Sequence, residues 1–489
     1  MMEKFEFDEA VFTYRISNGS TALFQRCSAL QQSDLRIQCT NRTQILQACC
    51  NGSEAAVIGY CIDAHGEISR EDIPVDLCAC KTLDTAWQFC NRLAGKYIVV
   101  YADGPKVYLW GDATCSIPLN YGRNGGRICI SPFDRMTADC IGVQPDERLV
   151  RLRQSADASQ AMPYDWTPYR EVRCLLPNQV LDVNAMHPIR MSLRSPARVM
   201  DSKEIVRRTI LLSDVITKAY AEDFDLICPL TSGYDSRAVL AIARQTIPDI
   251  PCFTVKFDGM DENAADLAIP EVICQALGIP YQKVASFAPP DALTEQISRH
   301  AGLFNAKDRI AEGIVYCSIN HEKARLHGDI IGQIGKSSVM NSVPDGLVGP
   351  CFLQCKIHNT DALAREGMHA HIQEIRQNGN GKDLCDLFAW ESRCGRWAGQ
   401  EEALYALCGM NSLSIFNCRE MILLWLQIPR RQRKQSLFHK WLIAACDARL
   451  VEYPFNPDAR MNAAKAYWPV FYVATFAKQW MLCAREKKR

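Results

Sequence analysis

The sequence has no long hydrophobic run, no internal repeat and no low-complexity tract. Its most apolar stretches, around 421–428 and 470–477, are too short to span a bilayer, which takes about 20 residues. The first residues, Met-Met-Glu-Lys, carry no apolar segment of the kind found in a secretory signal. We therefore expect no membrane span and no secretion signal, and we expect the protein to work in the cytoplasm.

Net charge is also absent. The 55 Lys and Arg residues balance the 55 Asp and Glu residues. Proteins that bind nucleic acid usually carry a basic excess that neutralises phosphates, so we expect no nucleic-acid partner. The remaining composition, 48% hydrophobic and 22% charged over 489 residues, is that of an ordinary globular protein with two or three domains.

No pair of cysteines has the C-x-x-C spacing, although the chain holds 24 cysteines. This absence argues against a zinc ribbon and against a thioredoxin-type redox site. In a reducing compartment we expect free thiols that serve as small apolar residues. The nine histidines also lack ligand spacing. His369 and His371 would face one side of a strand, and we expect both at the surface.

The first ~195 residues favour β-structure. The segment 96–101 is rich in β-branched and aromatic residues, Asp103-Gly104 is a turn signal, and 106–110 predicts the returning strand. Further short strands are predicted at 127–131 and, after the Pro177-Asn178 turn, at 179–183. The pattern indicates a sheet-rich domain.

The pattern changes after residue 200. Apolar residues at helical spacing predict a helix over 203–220. A buried strand at 224–230, a helix at 236–245, a second strand at 251–257 and a helix at 262–277 ending before Gly278 follow. Alternation of strand and helix is typical of a parallel α/β sheet. From 383 to 483 we expect mainly helix, interrupted by a proline-rich turn at 453–457. The predicted domains are 1–195 and 196–489.

The loop between the first predicted strand and its helix carries polar residues suited to phosphate. Gly233 lets the backbone approach a ligand, and Thr231, Ser232 and Ser236 offer hydroxyl donors. The helix that follows directs free N–H groups at an anion. Asp235 repels a bare phosphate, so its expected role is to hold Mg²⁺ against the phosphate oxygens. The alternative is an ordinary strand-to-helix turn with serine and aspartate as caps.

The loop Thr-Ser-Gly-Tyr-Asp-Ser resembles the Ser-Gly-Gly-x-Asp-Ser loop of asparagine synthetases and their relatives, with Thr231 and Ser232 replacing Ser and Gly. The similarity continues through the acidic helix and turn at 266–280, and through Trp397, Phe416-Asn417 and Arg419. Upstream, 93–101, 109–121, 167–169 and 175–182 resemble the family's glutaminase-like domain. The resemblance implies a degenerate Ntn-hydrolase-like β-rich domain, then a PP-loop ATP-pyrophosphatase domain with a parallel sheet and a helical C-terminal lobe. It also implies ATP and Mg²⁺ as ligands.

A second glycine-rich stretch, 327–336, resembles another family loop, which carries acidic residues. Here Asp329 and Gln333 take those places, and Lys336 is a candidate phosphate contact. Glutamine is a poorer Mg²⁺ ligand than a carboxylate. The alternative for Asp329 and Lys336 is a solvated glycine-rich turn. Gly335-Lys336-Ser337 is not a Walker A loop, because position 330 is Ile where that motif needs glycine.

The resemblance fails at two places. Glutamine-hydrolysing members use a cysteine at the mature N-terminus, whereas residues 1–3 here are Met-Met-Glu and the first cysteine is Cys27. We therefore expect no glutaminase activity, as in the degenerate domains of β-lactam synthetases and lasso-peptide cyclases. Family members also place a late lysine near the acyl-adenylate. Lys465 and Lys440 are both candidates, and Lys440 lies in a charged helical run that is usually solvated.

The predicted function is ATP-dependent amide formation through adenylation of a carboxylate, with AMP and pyrophosphate as products. The partners are then a small-molecule carboxylate and ammonia or an amine donor. A sugar acid is favoured because 167–169 and 175–182 resemble family members associated with surface-polysaccharide gene clusters. A homodimer and a partner protein are both compatible with the sequence. A non-catalytic ATP-binding scaffold is the alternative. Sulfur transfer to tRNA, which calls for paired cysteines and a basic surface, is disfavoured.

Overall fold

The structure is a computed structural model. It describes residues 7, 10–19, 23–31, 33–50, 52–154, 162–194, 198–302, 307–319, 323–336, 343–357, 359, 361–378, 383–457 and 467–486.

Two antiparallel sheets form the N-terminal part. One has the strand order β10-β8-β9-β1-β3-β2 and the other β12-β11-β7-β6-β5-β4. The strands are β1 Tyr14–Ser17, β2 Arg26–Ala29, β3 Arg36–Cys39, β4 Ile45–Cys50, β5 Ser53–Asp63, β6 Leu93–Asp103, β7 Lys106–Gly111, β8 Asn120–Asn124, β9 Arg127–Ser131, β10 Val172–Cys174, β11 Gln179–Asp182 and β12 His187–Arg190.

The two sheets pack face to face, with helices on both outer sides. Ile16 of one sheet and Ile98 of the other belong to the same buried core. On the outer face of the β5–β6 sheet lie α1 (Ile73–Ala79) and α2 (Leu83–Phe89). On the outer face of the other sheet lies α3 (Asp134–Ile141), followed by α4 (Glu147–Gln154). All eleven residues of β5 are buried because both faces of its sheet are covered.

A five-stranded parallel sheet follows, in the order β15-β14-β13-β16-β17. Its strands are β13 Asp225–Pro229, β14 Cys252–Lys256, β15 Tyr281–Ala285, β16 Lys323–Leu326 and β17 Asn411–Leu413. The long helix α5 (Ser202–Asp223) precedes it, capped by Asp201, whose side chain accepts from the Glu204 N–H. Helices α6 (Tyr234–Thr246) and α7 (Ala265–Leu277) connect its first strands.

The rest of the chain is mainly helical. The remaining helices are α8 Asp291–Ala301, α9 Lys307–Ile319, α10 Pro350–Lys356, α11 Ala362–Asn378, α12 Leu384–Phe388, α13 Gly399–Leu407, α14 Arg419–Trp425, α15 Arg430–Lys434, α16 Leu437–Cys446 and α17 Trp468–Glu486. Short 3₁₀ turns lie at Cys90–Arg92, Asp345–Leu347 and Ala448–Val451, and π-helical segments at Ile331–Gly335 and Ala389–Ala398.

The fold class predicted from the sequence is confirmed: a β-rich N-terminal part precedes a parallel α/β sheet with a helical C-terminal lobe. Gly278 ends α7 in the left-handed conformation, with φ at 66°, as its position predicts. The helix expected at 236–245 begins earlier, at Tyr234, because Gly233 is the N-cap. The prediction of mainly helix after 383 missed β17. The domain boundary at 195/196 stays a prediction.

Two further expectations concern thiols and membranes. The 23 cysteines that the structure describes are free thiols, most of them buried. Within the same part of the chain, no helix combines the length and the apolar character needed to cross a bilayer.

Candidate functional site

The predicted nucleotide loop lies at the point where the strand order of the parallel sheet reverses. From β13 the chain adds β14 and β15 on one side, and later β16 and β17 on the other. Loops that follow the two central strands therefore meet at the carboxyl edge of the sheet. Ligands of open α/β sheets bind at this kind of crevice. The loops concerned are 230–236, after β13, and 327–336, after β16.

The first loop is held by hydrogen bonds among its own residues. The Ser236 hydroxyl lies 3.1 Å from the Thr231 backbone nitrogen and 3.0 Å from the Thr231 hydroxyl. The Gly233 N–H donates to the Thr231 hydroxyl over 3.2 Å. Ser232 donates both its backbone N–H (2.9 Å) and its hydroxyl (2.5 Å) to one carboxylate oxygen of Asp266, in the first turn of α7. The loop is thus rigid, and the Ser232 hydroxyl is already engaged.

The N-terminus of α6 opens directly from this loop. Within the part of the chain that the structure describes, no side chain caps it. The first N–H groups of a helix have no acceptor inside the helix, so they are available to an anion. This feature suits the loop to an anion more than its hydroxyl groups do.

Asp235, in the first turn of α6, points toward the second loop. Its side chain is 40% exposed, and its Oδ1 lies 3.1 Å from Nε2 of the fully buried His439. A Cβ added to Gly332 would lie 2.6 Å from Asp235 Oδ2, and one added to Gly328 would lie 3.0 Å from the Asp235 carbonyl oxygen. The two loops are therefore in contact, and a side chain at 332 would displace the Asp235 carboxylate.

The buried side chain of Arg237 joins the loop 230–236 to the turn 453–457 by hydrogen bonds. The sequence did not reveal this role. The Arg237 guanidinium is fully buried and donates to the carbonyl oxygens of Ser232 (2.9 Å), Tyr453 (2.9 Å) and Leu450 (3.2 Å). It stacks 3.9 Å over Phe455. Burial lowers the pKa of Arg237 to about 10, so it stays charged at neutral pH. The sequence shows the proline-rich turn at 453–457, but it does not show that Arg237 is the partner of this turn.

Asp329, on the second loop, belongs to a charged cluster. His327 Nδ1 lies 3.0 Å from Asp329 Oδ2. Loss of water to the surrounding protein raises the pKa of the Asp329 carboxyl group. The hydrogen bond with His327 and the charges of His327 and Arg325 outweigh this effect, so the pKa lies below its ordinary value. With 47% of its side chain exposed, Asp329 is an ionised carboxylate that a ligand can reach.

Glu402 lies behind this pair, and ligand atoms of His327, Asp329 and Glu402 lie within 4.8 Å of one another. Glu402 accepts from Lys96 over 3.1 Å and from Arg325 over 2.8 Å. Burial raises the pKa of Glu402, but the charges of Lys96, His327 and Arg325 outweigh this effect. The pKa of Glu402 therefore lies well below its ordinary value. Two cations already neutralise this carboxylate, so the cluster suits a fixed charge network better than a metal ion.

Lys96 brings the N-terminal part of the chain to this cluster. It lies on β6, and a small cavity runs between β6 and the second loop, with Thr114, Ser116 and Asn417 in its walls. The Asn417 side chain donates to the Gly95 carbonyl oxygen over 2.6 Å. The N-terminal sheets therefore form one wall of the space beside Asp329.

The other predicted residues lie as follows. Lys336 Nζ lies 5.4 Å from the ring centre of Tyr234, so its charge lies beside the first loop. Gln333 is half-buried in the π-helical turn Ile331–Gly335. Lys440 is exposed on α16, as a solvated residue would be. Lys465 lies outside the described residues.

The prediction for the histidine pair is half wrong. His369 is exposed, but both residues lie on α11 rather than on a strand, and His371 is buried. His371 Nε2 lies 2.8 Å from Glu391, which also accepts from Arg190 over 2.6 Å. Arg190 donates a second time to Glu374, over 2.8 Å. The cluster joins β12 to the helical lobe.

Comparison with known proteins adds little. No family model matches the chain, and no curated protein matches it. Solved structures with some likeness include a glutamine-dependent NAD⁺ synthetase from Acinetobacter baumannii in complex with ADP (13% identity, 37% of this chain and 41% of that one, TM-score 0.20). A glutamine phosphoribosylpyrophosphate amidotransferase from B. subtilis, complexed with ADP and GMP, shares 13% identity over 59% of this chain and 65% of its own, with a TM-score of 0.24.

An NH3-dependent NAD synthetase from Campylobacter jejuni subsp. jejuni NCTC 11168 is also similar over 37% of this chain and 86% of its own, with 13% identity and a TM-score of 0.20. The chain thus spans less than two thirds of the length of the first two structures. These low TM-scores carry no information about the activity of this chain.

Proposed function

We propose that the protein binds ATP with Mg²⁺ between the two loops and adenylates a substrate carboxylate, which an amine then converts to an amide. The observation that carries the proposal is the meeting of Asp235 and Gly332 at the carboxyl edge of the parallel sheet, beside an uncapped helix N-terminus. The cytoplasm is the proposed compartment, in keeping with the free thiols.

The phosphates are the part of the nucleotide that this geometry accommodates best. The first N–H groups of α6 and the Lys336 ammonium both supply positive potential beside the loop. The backbone at Gly233 is open enough for close approach. Thr231 and Ser236 keep the loop in shape through their mutual hydrogen bond, and Ser232 does so through Asp266.

Asp235 fits the role of the Mg²⁺ ligand. It is partly exposed, and among the described residues its Oδ1 forms no well-aligned hydrogen bond despite lying near His439. Mg²⁺ in nucleotide sites is commonly held by one or two carboxylates together with phosphate oxygens and water. When bound, the ion would neutralise charge on the leaving pyrophosphate.

The reaction then needs positioning rather than a covalent nucleophile. A carboxylate oxygen of the substrate attacks the α-phosphorus of ATP, and pyrophosphate leaves. The amine nitrogen next attacks the acyl carbon, AMP leaves, and the nitrogen loses a proton. Asp329, ionised and hydrogen-bonded with His327, is our candidate to orient the amine. Lys465 stays a candidate for charge stabilisation.

The substrate proposed is a sugar acid or another small acid, and the amine is ammonia or is supplied by another protein. The second candidate function is a non-catalytic ATP-binding scaffold. It is favoured by one observation: both donors of Ser232 are directed at Asp266 rather than outward.

Pyrophosphate release from ATP·Mg²⁺, measured over a panel of carboxylates with ammonium present, tests the proposal. We expect release that depends on one acid and is lost in Asp235→Ala. The matched control is Asp249→Ala, an exposed aspartate beyond the other end of α6, which should behave like the wild type. ATP binding without release would favour the scaffold, and absence of ATP binding would refute both.

A further inference from the structure

A second cavity lies between the N-terminal sheets and the helical lobe, apart from the loops 230–236 and 327–336. It is lined by residues of β8, α3, the π-helical segment Ala389–Ala398 and α13. The volume open to the centre of a water molecule is about 30 Å³, which holds roughly two waters or one small ion. Its polar lining includes two arginines, Arg153 and Arg396, and one acid, Asp134.

Arg396 is the unusual group in this cavity. Its side chain is 2% exposed, and its Nη2 donates to the Trp166 carbonyl oxygen over 2.6 Å. Among the residues that the structure describes, its Nε and Nη1 have no well-aligned hydrogen-bond partner, although the Cys174 thiol lies within hydrogen-bonding reach of the guanidinium. A buried guanidinium whose N–H groups are unsatisfied costs considerable free energy, because the group has lost its water without gaining acceptors.

The neighbouring acidic groups interact electrostatically with Arg396 but form no ion pair with it among the described contacts. Asp165 lies nearby, but it is 3.5 Å from Arg173 and pairs with that residue. Burial raises the pKa of the Cys174 thiol despite the opposing charge of Arg396, so the thiol stays neutral. Asp134 accepts from the Arg135 backbone N–H over 2.7 Å and forms no ion pair with Arg396 among the described contacts.

We propose that this cavity binds a small planar oxyanion of the carboxylate or bicarbonate class, held by Nε and Nη1 of Arg396. Guanidinium and carboxylate match in geometry, and the resulting charge-assisted bonds are the strong ones. Arg153, 4% exposed, supplies the second positive charge. The side-chain oxygen of Gln400, which also lacks a described partner, can accept from the hydroxyl of a bicarbonate ion or from water.

The size and charge of the cavity exclude other ligand classes. The positive charges of Arg153 and Arg396 repel a cation. The apolar walls of Phe133, Met162 and Leu404 and the small volume exclude a nucleotide. None of the lining residues belongs to the loops 230–236 and 327–336, so this site is independent of the proposed function.

Thermal unfolding of the full-length protein at pH 8, with increasing sodium formate, tests the site. Sodium gluconate at equal ionic strength serves as an anion too large to enter. We expect a saturable rise in the unfolding midpoint with formate alone. A parallel series with acetate and with bicarbonate shows which of the two sources the cavity prefers. Equal responses to formate and gluconate would overturn the proposal.

Arg396→Gln should weaken formate binding by at least about tenfold. Arg419→Gln is the matched control. Arg419 is also buried, and its Nε and Nη1 have no hydrogen-bond partner among the described residues. It differs because it stacks 3.8 Å over Trp87 and lines none of the cavities described above. If Arg396→Gln does not fold, Ala403→Leu fills the cavity and keeps the arginine, and should abolish the saturable response. A crystal grown in formate should show the anion against Arg396, whereas water alone in the cavity would refute the proposal.

Discussion

The carboxylate of Asp235 lies so close to Gly332 that a Cβ at position 332 would approach Oδ2 to 2.6 Å. One residue follows β13 and the other follows β16, so this contact joins the two loops of the candidate site. The small size of residue 332 matters because of the position of the carboxylate, since Gly332 does not adopt a left-handed backbone conformation.

Gly332→Ala should therefore displace Asp235 without removing it. We expect pyrophosphate release to fall by roughly 10- to 100-fold, because displacements of about 1 Å have effects of this size. The loss should be accompanied by weaker dependence on Mg²⁺. Gly346→Ala is the control, since a Cβ there meets open space. Normal activity in Gly332→Ala would show that the position of Asp235 does not matter for the reaction.

Arg237→Met should loosen both the nucleotide loop and the turn at 453–457. The variant leaves several buried carbonyl oxygens without a donor, so we expect a loss of roughly 2–4 kcal/mol in the free energy of unfolding. ATP affinity should fall as well. Urea unfolding and equilibrium binding measure the two effects. Arg244→Met, on the same helix and paired with Asp447, should lose stability but keep its ATP affinity.

His327→Ala should change the pH dependence of amide formation. The hydrogen bond with His327 and the charges of His327 and Arg325 hold the pKa of Asp329 below its ordinary value. Without His327 the pKa should rise, and the acidic limb of the rate profile should move to higher pH. His369→Ala, on the exposed face of α11, provides the control. An unmoved acidic limb would show that Asp329 does not act in the rate-limiting step.

Glu391→Gln should destabilise the contact between β12 and the helical lobe. Burial raises the pKa of Glu391, but Arg190 and His371 outweigh it and lower the pKa from 4.5 to about 2. A lowered pKa means that this stabilisation is present above pH 4.5 and is lost as pH falls toward 2.

We therefore expect Glu391→Gln to cost about 3 kcal/mol at pH 7. The difference from the wild type should shrink as the pH falls below 4.5. Urea unfolding across this range measures it, and Glu366→Gln, exposed on α11, is the control. A difference that does not vary with pH would show that packing, rather than charge, stabilises the cluster.

Local sequence signals predicted much of the fold. Strands such as β6 and β7 are visible from β-branched and aromatic residues and from the Asp103-Gly104 turn. The loop at 231–236 is visible because a buried strand, small polar residues and a helix follow one another. These features depend on neighbours along the chain.

The residues that sequence reasoning missed depend on distant partners. Ser232 was expected to face a ligand, but its donors are engaged by Asp266, 34 residues later. His371 looked like a surface residue until the fold placed Glu391 beside it. Arg237 and Glu402 are ordinary charged residues on helices, and only the tertiary structure gives them buried partners. Periodicity carries no information on such pairings.

The ion pair between Lys96 and Glu402 couples the N-terminal sheets to the surroundings of Asp329. Lys96 lies on β6 of the N-terminal sheets and supplies one of the two cations that neutralise the buried carboxylate of Glu402 next to Asp329. Deleting these sheets would remove one of the two cations that balance this buried charge and leave it with Arg325. The N-terminal sheets thus contribute directly to the electrostatic surroundings of Asp329, and a change in them would be felt at that residue.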